Sequence, residues 1–336
     1  MTRGMVLAAG WGRRLRPLTD VLPKPLVPFF GRPTLAHALE HMARCGITQT
    51  AVNTFHLAED LEAGLAGESG LPEVQISREE ELLGTGGGVR RLASFLGAEP
   101  EFVLMNGDII ASVPWVDVLE HHRVNEADVT LVTVTRPNLP AALHKVAIDE
   151  TGRVAEVDGV FCPGVKGPQR AIYAGALVGG GALLAALPDG REACLKVEGF
   201  WPLLRRGARV FAFPMEGLWA DIGTPAQYVG AHEAVLGADF GVRARWMPPG
   251  VVERSPGVFI HPSAEVSAGA LLEGPMLVGA DVQIGAGARL GEHVVLGRGS
   301  RVAAGARLDR VVTWAQSEVE GAHRGAVFWP GGEFVI

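Results

Sequence analysis

Two glycines and three arginines stand within seven positions in Leu7-Ala8-Ala9-Gly10-Trp11-Gly12-Arg13-Arg14-Leu15-Arg16-Pro17-Leu18-Thr19, and Pro23-Lys24-Pro25 follows closely. Glycine lets backbone N–H groups approach a phosphate, because no Cβ stands in the way. Arginine adds planar, bidentate phosphate donors, and Lys24 adds a mobile point charge. Together they can neutralise and orient a polyphosphate. The charge is local: the first 32 residues hold Arg3, Arg13, Arg14, Arg16, Lys24 and Arg32 against one acid, Asp20, in a chain of net charge −7. An acidic chain with one basic patch suits a small anionic ligand and argues against nucleic acid or an anionic membrane surface as partner.

These residues need a scaffold, and the hydrophobic pattern supplies one. At 336 residues and 48% apolar content the chain is expected to form two domains with ample core. Strand-like runs at residues 5–9, 50–53, 74–77, 102–105 and 129–134 alternate with helix-like runs at 34–44, 58–65, 87–95 and 115–122. That alternation predicts an α/β fold, a mostly parallel sheet with helices on both faces. Ligands then belong at the carboxyl ends of strands, where Gly10 and Asn106-Gly107-Asp108 fall. Further on, 145–148 and 153–156 read as a hairpin around Asp149-Glu150-Thr151-Gly152, 172–178 and 209–213 as strands, and 193–205 as a helix. Thr224 followed by Pro225 predicts the cap and first turn of a helix over 225–236.

A first domain is thus expected over 1–237 and an aperiodic linker over 238–257, with a six-residue repeat filling 258–336. Aliphatic residues recur at Ile260, Val266, Leu272, Val278, Ile284, Leu290, Leu296, Val302 and Leu308. Such hexads stack as a parallel β-solenoid whose inner ladder no single repeat could bury. Past Leu308 the period fades, and Trp314, Phe328 and Trp329 are expected to cap the open end. Cys45, Cys162 and Cys194 lack ligand spacing and read as reduced packing thiols. With no charged-then-apolar leader and no membrane-length apolar run, a cytoplasmic location is expected.

Leu15 stands where a dinucleotide fingerprint needs its third glycine, and a Walker loop would need Gly-Lys-Ser/Thr. The pattern that remains, Leu-Ala-Ala-Gly-x-Gly-x-Arg-Leu-x-Pro-Leu-Thr and then Pro-Lys-Pro, resembles the signature of the sugar-1-phosphate nucleotidyltransferases. The likeness continues in Glu80-Glu81-Leu82-Leu83-Gly84-Thr85-Gly86-Gly87-Gly88, Asn106-Gly107-Asp108, Tyr173-Ala174-Gly175 and Trp219-Ala220-Asp221-Ile222-Gly223-Thr224-Pro225. It implies a Rossmann-like catalytic domain, with the repeats resembling a short left-handed β-helix of about three coils. It also implies that Leu7, Ala8, Ala9, Gly10, Gly12, Arg13, Glu81, Gly84, Thr85 and Gly86 bind the nucleotide. Asn106, Gly107, Glu156, Tyr173, Gly175 and Lys196 would then hold the sugar phosphate, Asp108 and Asp221 would hold Mg²⁺, and Arg14, Lys24 and Asp108 would be catalytic.

The chemistry implied is in-line attack of a sugar-1-phosphate oxygen on the α-phosphate of an NTP. The nucleophile is already an anion, so the site supplies positioning and charge neutralisation and needs no general base. Guanylyl transfer to mannose-1-phosphate leads. Uridylyl transfer to glucose-, N-acetylglucosamine- or N-acetylmuramic acid-1-phosphate, and thymidylyl transfer to glucose-1-phosphate, remain as alternatives, and a non-catalytic NDP-sugar sensor is the rival of another class. The repeat, with only His261 and His293 as histidine candidates, is read as packing or assembling the protein into a homo-oligomer rather than as an acetyltransferase. One departure stands out: Glu156-Val157-Asp158 occupies the place of the family's Glu-Lys-Pro. Another cation must meet the sugar phosphate, and Lys145, Lys196 or an arginine of the glycine loop could serve. His56 is a further candidate for the base pocket.

Overall fold

The computed structural model describes residues 2–55, 58–136, 143 and 145–336; His56 lies outside them. By packing, the chain divides into two compact units. One takes Met1–Trp11, Pro23–Pro25 and Thr34–Trp219, and the other takes Gly12–Leu22, Leu26–Pro33 and Ala220–Ile336.

The first unit is built on a sheet of strands β1 (Arg3–Leu7), β2 (Gln49–Thr54), β3 (Glu73–Arg78), β4 (Glu101–Asn106), β5 (Val129–Val134), β6 (Val146–Ile148), β7 (Val154–Val157), β8 (Val160–Phe161), β9 (Gln169–Gly180) and β10 (Val210–Pro214). Their order is β8-β7-β6-β9-β4-β1-β2-β3, with β5 between another stretch of β9 and β10. Strand β1 is parallel to both β2 and β4, while β9 runs antiparallel to β4, β5 and β6. Successive side chains point to opposite faces. Met5, Ala51 and Leu104 therefore join Val89, Leu183 and Leu203 in one core, while Val6, Val52 and Val103 join Leu35, Leu39 and Val118 in the other. Helices thus cover both faces, as the alternation predicts.

Two helical readings change in detail. The run 87–95 is split into Gly84–Arg91 and Ala93–Leu96, and the helix expected from 193 starts as a π-turn at Leu195–Phe200 before Trp201–Arg205. Ala193 is withheld from that helix because its N–H and C=O pair with Leu83 and Gly86. Cys162 is buried and Cys45 partly so, but Cys194 is exposed and does not pack.

In the second unit the repeats stack in register. Ile260 pairs with Val278, Val278 with Leu296 and Leu296 with Thr313. Val266, Ile284, Val302 and Val319 form a second ladder, and Leu272, Leu290, Leu308 and His323 a third. The expected three coils are therefore followed by a shortened fourth. Its first rung is Thr313, whose hydroxyl accepts from Gly297 N at 2.9 Å and meets Ser300 Oγ at 2.8 Å, so hydrogen bonds stand in for aliphatic packing. Gly285 keeps the coils close: a Cβ there would lie 2.5 Å from Ala304 N.

The segment expected to be an aperiodic linker is ordered. It forms a helix at Phe240–Ala244 and a strand at Val252–Ser255 that pairs with Val258–Ile260. Buried Trp246 anchors it edge-on against Phe29, with ring centroids 5.4 Å apart. The Pro225–Leu236 helix, capped by Thr224 as its sequence predicts, packs in this unit through Tyr228 and His232. Tyr228 donates to Pro28 O at 2.5 Å and accepts from Trp314 Nε1 at 3.2 Å. Trp314 is thus a buried partner of that helix rather than only an end cap. Burial pushes the Tyr228 hydroxyl's pKa up, so it remains a donor across the working range. Tyr228→Phe leaves both partners unmet and is expected to cost about 1–3 kcal/mol. An unchanged urea midpoint would remove this contact from the stability of the unit. No described helix is long and apolar enough to cross a membrane.

Candidate active site

Within the first unit the glycine-loop strand ends beside β4. Gly107 N donates to Leu7 O at 2.8 Å, and a Cβ at Gly107 would lie 2.9 Å from that oxygen. This close approach sets Asp108 just beyond the strand ends, where Lys24 Nζ meets its Oδ2 at 2.6 Å. Two of the three residues expected to be catalytic, 84 positions apart, therefore form one partly buried ion pair. A Cβ at Gly10 would meet nothing within 4 Å among the described residues, leaving room for a ligand beside the loop.

The segments expected to bind the nucleotide are tied together by hydrogen bonds within the protein. Ala8 N donates to the Asn53 side chain at 2.9 Å, so this N–H is engaged within the protein. Asn53 Nδ2 in turn donates to Glu79 Oε1 at 2.8 Å, and Glu79 Oε2 accepts from Leu83 N at 3.0 Å. Asn53 and Glu79 are buried, and neither was singled out by the motifs; Glu81 is exposed and makes none of these contacts. Thr85 Oγ1 accepts from Leu195 N at 2.9 Å, and Gly86 N donates to Ala193 O at 2.8 Å. The glycine-rich run thus serves close packing on residues 191–195 at least as directly as base contact. A Cβ on Gly86 would stand 3.0 Å from Leu195 N, so a side chain there would crowd the same segment.

In the strand expected to meet the sugar, a register shift in β9 between Tyr173 and Leu177 carries Gly175, whose φ is 77°. A Cβ there would lie 3.1 Å from Asn106 Nδ2, so the glycine brings Asn106 and the strand together. Trp219 Nε1 donates to Ala174 O at 2.9 Å and ties its motif to the same strand. Tyr173 meets Phe200 edge-on, and burial pushes its hydroxyl's pKa up. Glu156 accepts from Gly159 N at 3.0 Å and pairs with Arg170 at 2.8 Å, so it shapes its hairpin instead of standing open to sugar hydroxyls. Lys145 and Lys196 both reach Asp158, at 3.0 and 2.5 Å. The Lys196 hydrogen bond, then that of Lys145, holds the Asp158 carboxyl below its ordinary 3.8. Because the folded pKa is lowered, this stabilisation is present above 3.8 and is lost as pH falls through the lowered value.

The second unit holds the other two expected groups. Gly12, at a φ of 60°, turns the loop, and its carbonyl accepts from Leu15 N and Thr19 Oγ1, each at 2.9 Å. Leu15 is fully buried, which explains an apolar residue inside a basic loop. Arg13 and Arg14 remain exposed, whereas Arg16 pairs with Asp20 at 2.9 Å. A Cβ on Gly223 would meet Arg14 Nη2 at 3.1 Å and Asp221 Oδ1 at 3.2 Å, so both groups line the Gly223 backbone. The basic patch is thinned further in the first unit, where Arg3 donates to Phe95 O at 2.6 Å.

A strand-end site joining a lysine to a carboxylate beside a glycine loop is of the phosphoryl-transfer class, and the comparisons agree with that class. The chain belongs to the nucleotidyl transferase family, the sugar-1-phosphate nucleotidyltransferases: the Nucleotidyl transferase model matches residues 3–158, and the bacterial transferase hexapeptide (six repeats) model matches residues 275–310. It is similar to the mannose-1-phosphate guanylyltransferase of Mycobacterium tuberculosis (strain ATCC 25618 / H37Rv), with 35% identity over 82% of this chain and 74% of that protein. The mannose-1-phosphate guanylyltransferase catalytic subunit beta of Drosophila pseudoobscura pseudoobscura is 30% identical over 80% and 71%. In fold the chain resembles HddC from Yersinia pseudotuberculosis, solved in complex with GMP-PN, with a TM-score of 0.56, 22% identity, and 69% of this chain and 98% of that one covered.

Proposed function

We propose that the chain transfers the guanylyl group of GTP to mannose-1-phosphate, giving GDP-mannose and pyrophosphate. The similarity to mannose-1-phosphate guanylyltransferases across most of the chain carries the choice of substrates. The Lys24–Asp108 pair at the strand ends supports the chemistry. In this reading Lys24 holds the α-phosphate side, Arg14 stabilises the departing pyrophosphate, and the strand carrying Tyr173 and Gly175 orients the sugar. Asn106 and Gly107 fix the floor between them.

Asp108 and Asp221 are assigned to Mg²⁺. Carboxylate oxygens are the donors this ion prefers, and it is commonly held by one or two of them together with substrate phosphates. When bound, the ion would neutralise charge on the reacting phosphates. Pyrophosphate release measured over a grid of five NTPs and several sugar-1-phosphates is expected to peak with GTP and mannose-1-phosphate. It should vanish with chelator and return with Mg²⁺. A peak at another pair would replace the substrate assignment, and turnover unaffected by chelator would remove the metal.

A further inference from the structure

The Glu156-Val157-Asp158 hairpin lacks a lysine at the place where the family resemblance sets one, yet the same hairpin gathers two lysines from elsewhere. Asp158 has a φ of 50° at the turn, and its N–H donates to Lys145 O at 2.8 Å. Its two carboxylate oxygens receive different ammonium groups: Oδ1 that of Lys145 at 3.0 Å, and Oδ2 that of Lys196 at 2.5 Å. Lys196 sits in the Leu195–Phe200 turn, and Phe200, four residues on, meets the Tyr173 ring edge-on at 5.8 Å. The lysine pair is thereby linked through one helical turn to the strand assigned to the sugar.

Two ammonium groups against one carboxylate leave a net positive charge, and the lysines stay 55% and 40% exposed, within reach of a ligand. A free lysine must give up rotamer freedom when it binds a phosphate; here Asp158 has already ordered both side chains. We propose that Lys145 and Lys196, aligned by Asp158, bind the phosphate of the sugar-1-phosphate in place of the single lysine the hairpin lacks. This rests on the sugar-1-phosphate reading above. Asp158 is a positioning residue: it touches the lysines, not the substrate.

The test uses the full chain with Lys145→Met, Lys196→Met, the double variant and Asp158→Asn. Each lysine variant is expected to raise KM for the sugar-1-phosphate about tenfold, the scale of one lost charge-assisted contact, with KM for the NTP unchanged. Lys196→Arg should recover part of the loss. Asp158→Asn should give a smaller rise that disappears when both lysines are already methionine, a coupling that general loosening of the fold would not produce. Calorimetric titration with sugar-1-phosphates separates the two readings. A double variant that binds them as tightly as wild type overturns the lysine pair alone. A wild-type chain that binds none of them overturns both. Equal rises in KM for the two substrates would also overturn the pair.

Discussion

Asp108→Asn is expected to lower pyrophosphate release by roughly 10²–10³-fold, with the urea midpoint almost unchanged. Asparagine keeps the side chain's shape and can still accept a hydrogen bond from Lys24, which lies 2.6 Å from Asp108 Oδ2. What it loses is the negative charge. The proposed reaction brings together two polyanions, so removing a charge assigned to the metal should act mainly on the transition state, and kcat should fall more than KM rises. The fold should tolerate the change because backbone contacts set the position of the turn: Gly107 N is held by Leu7 O, and Ile109–Ala111 continues as a strand. Lys24→Met should be similarly inactive, yet should not restore the asparagine variant when combined with it. A kcat for Asp108→Asn within about threefold of wild type would take Asp108 out of the reacting site, since donors of this type are worth far more.

How much of this was legible in the sequence depended on the range of the interaction. The Thr34–Arg44 and Pro225–Leu236 helices and the Val129–Val134 strand fall at their expected bounds, because a buried helix face, a Thr-Pro cap and a fully buried apolar run are each written into neighbouring residues. The hexads likewise located the ladders as far as Leu308. They missed the fourth coil because its rungs include Thr313 and His323, which satisfy the stack through polar contacts or a shortened turn. The glycine–arginine loop and Asp108 could be read from a motif, but their partners could not. Asn53 and Glu79 are ordinary polar residues in sequence, and only the fold, which spans 26 positions between them, makes them a buried pair. The same holds for Asp158: nothing local marks it as the acid that collects Lys145 and Lys196 from either side. The run Gly84–Gly88 shows the converse, a motif read for ligand contact whose glycines at 84, 86 and 87 pack on residues 191–195.

Gly88→Ala tests that last point and is expected to impair nucleotide use from a position the motifs leave without a role. A Cβ on Gly88 would lie 2.6 Å from Asn53 Nδ2 and 2.9 Å from Glu79 Oε1, closer than real Cβ atoms come to either. These two atoms are the ones joined in the buried Asn53–Glu79 hydrogen bond. The methyl must push them apart or move the helix, and Gly87, whose own Cβ would lie 2.8 Å from Arg191 O, sits too tightly for the helix to retreat freely. Once Asn53 shifts, Ala8 N loses its acceptor and Leu83 N is no longer held by an undisturbed Glu79. Both ends of the nucleotide segment loosen together. Breaking a buried polar network costs about 1–3 kcal/mol, so a lower melting temperature is expected. The telling measurement is the split between substrates at a temperature where the variant is folded. KM for GTP should rise about tenfold or more, and KM for mannose-1-phosphate should rise less, because Tyr173 and Gly175 lie on β9 and neither Asn53 nor Glu79 bonds to Asp158. A variant with wild-type KM for GTP would mean that the Asn53–Glu79 link serves stability alone and leaves the nucleotide loop indifferent to it.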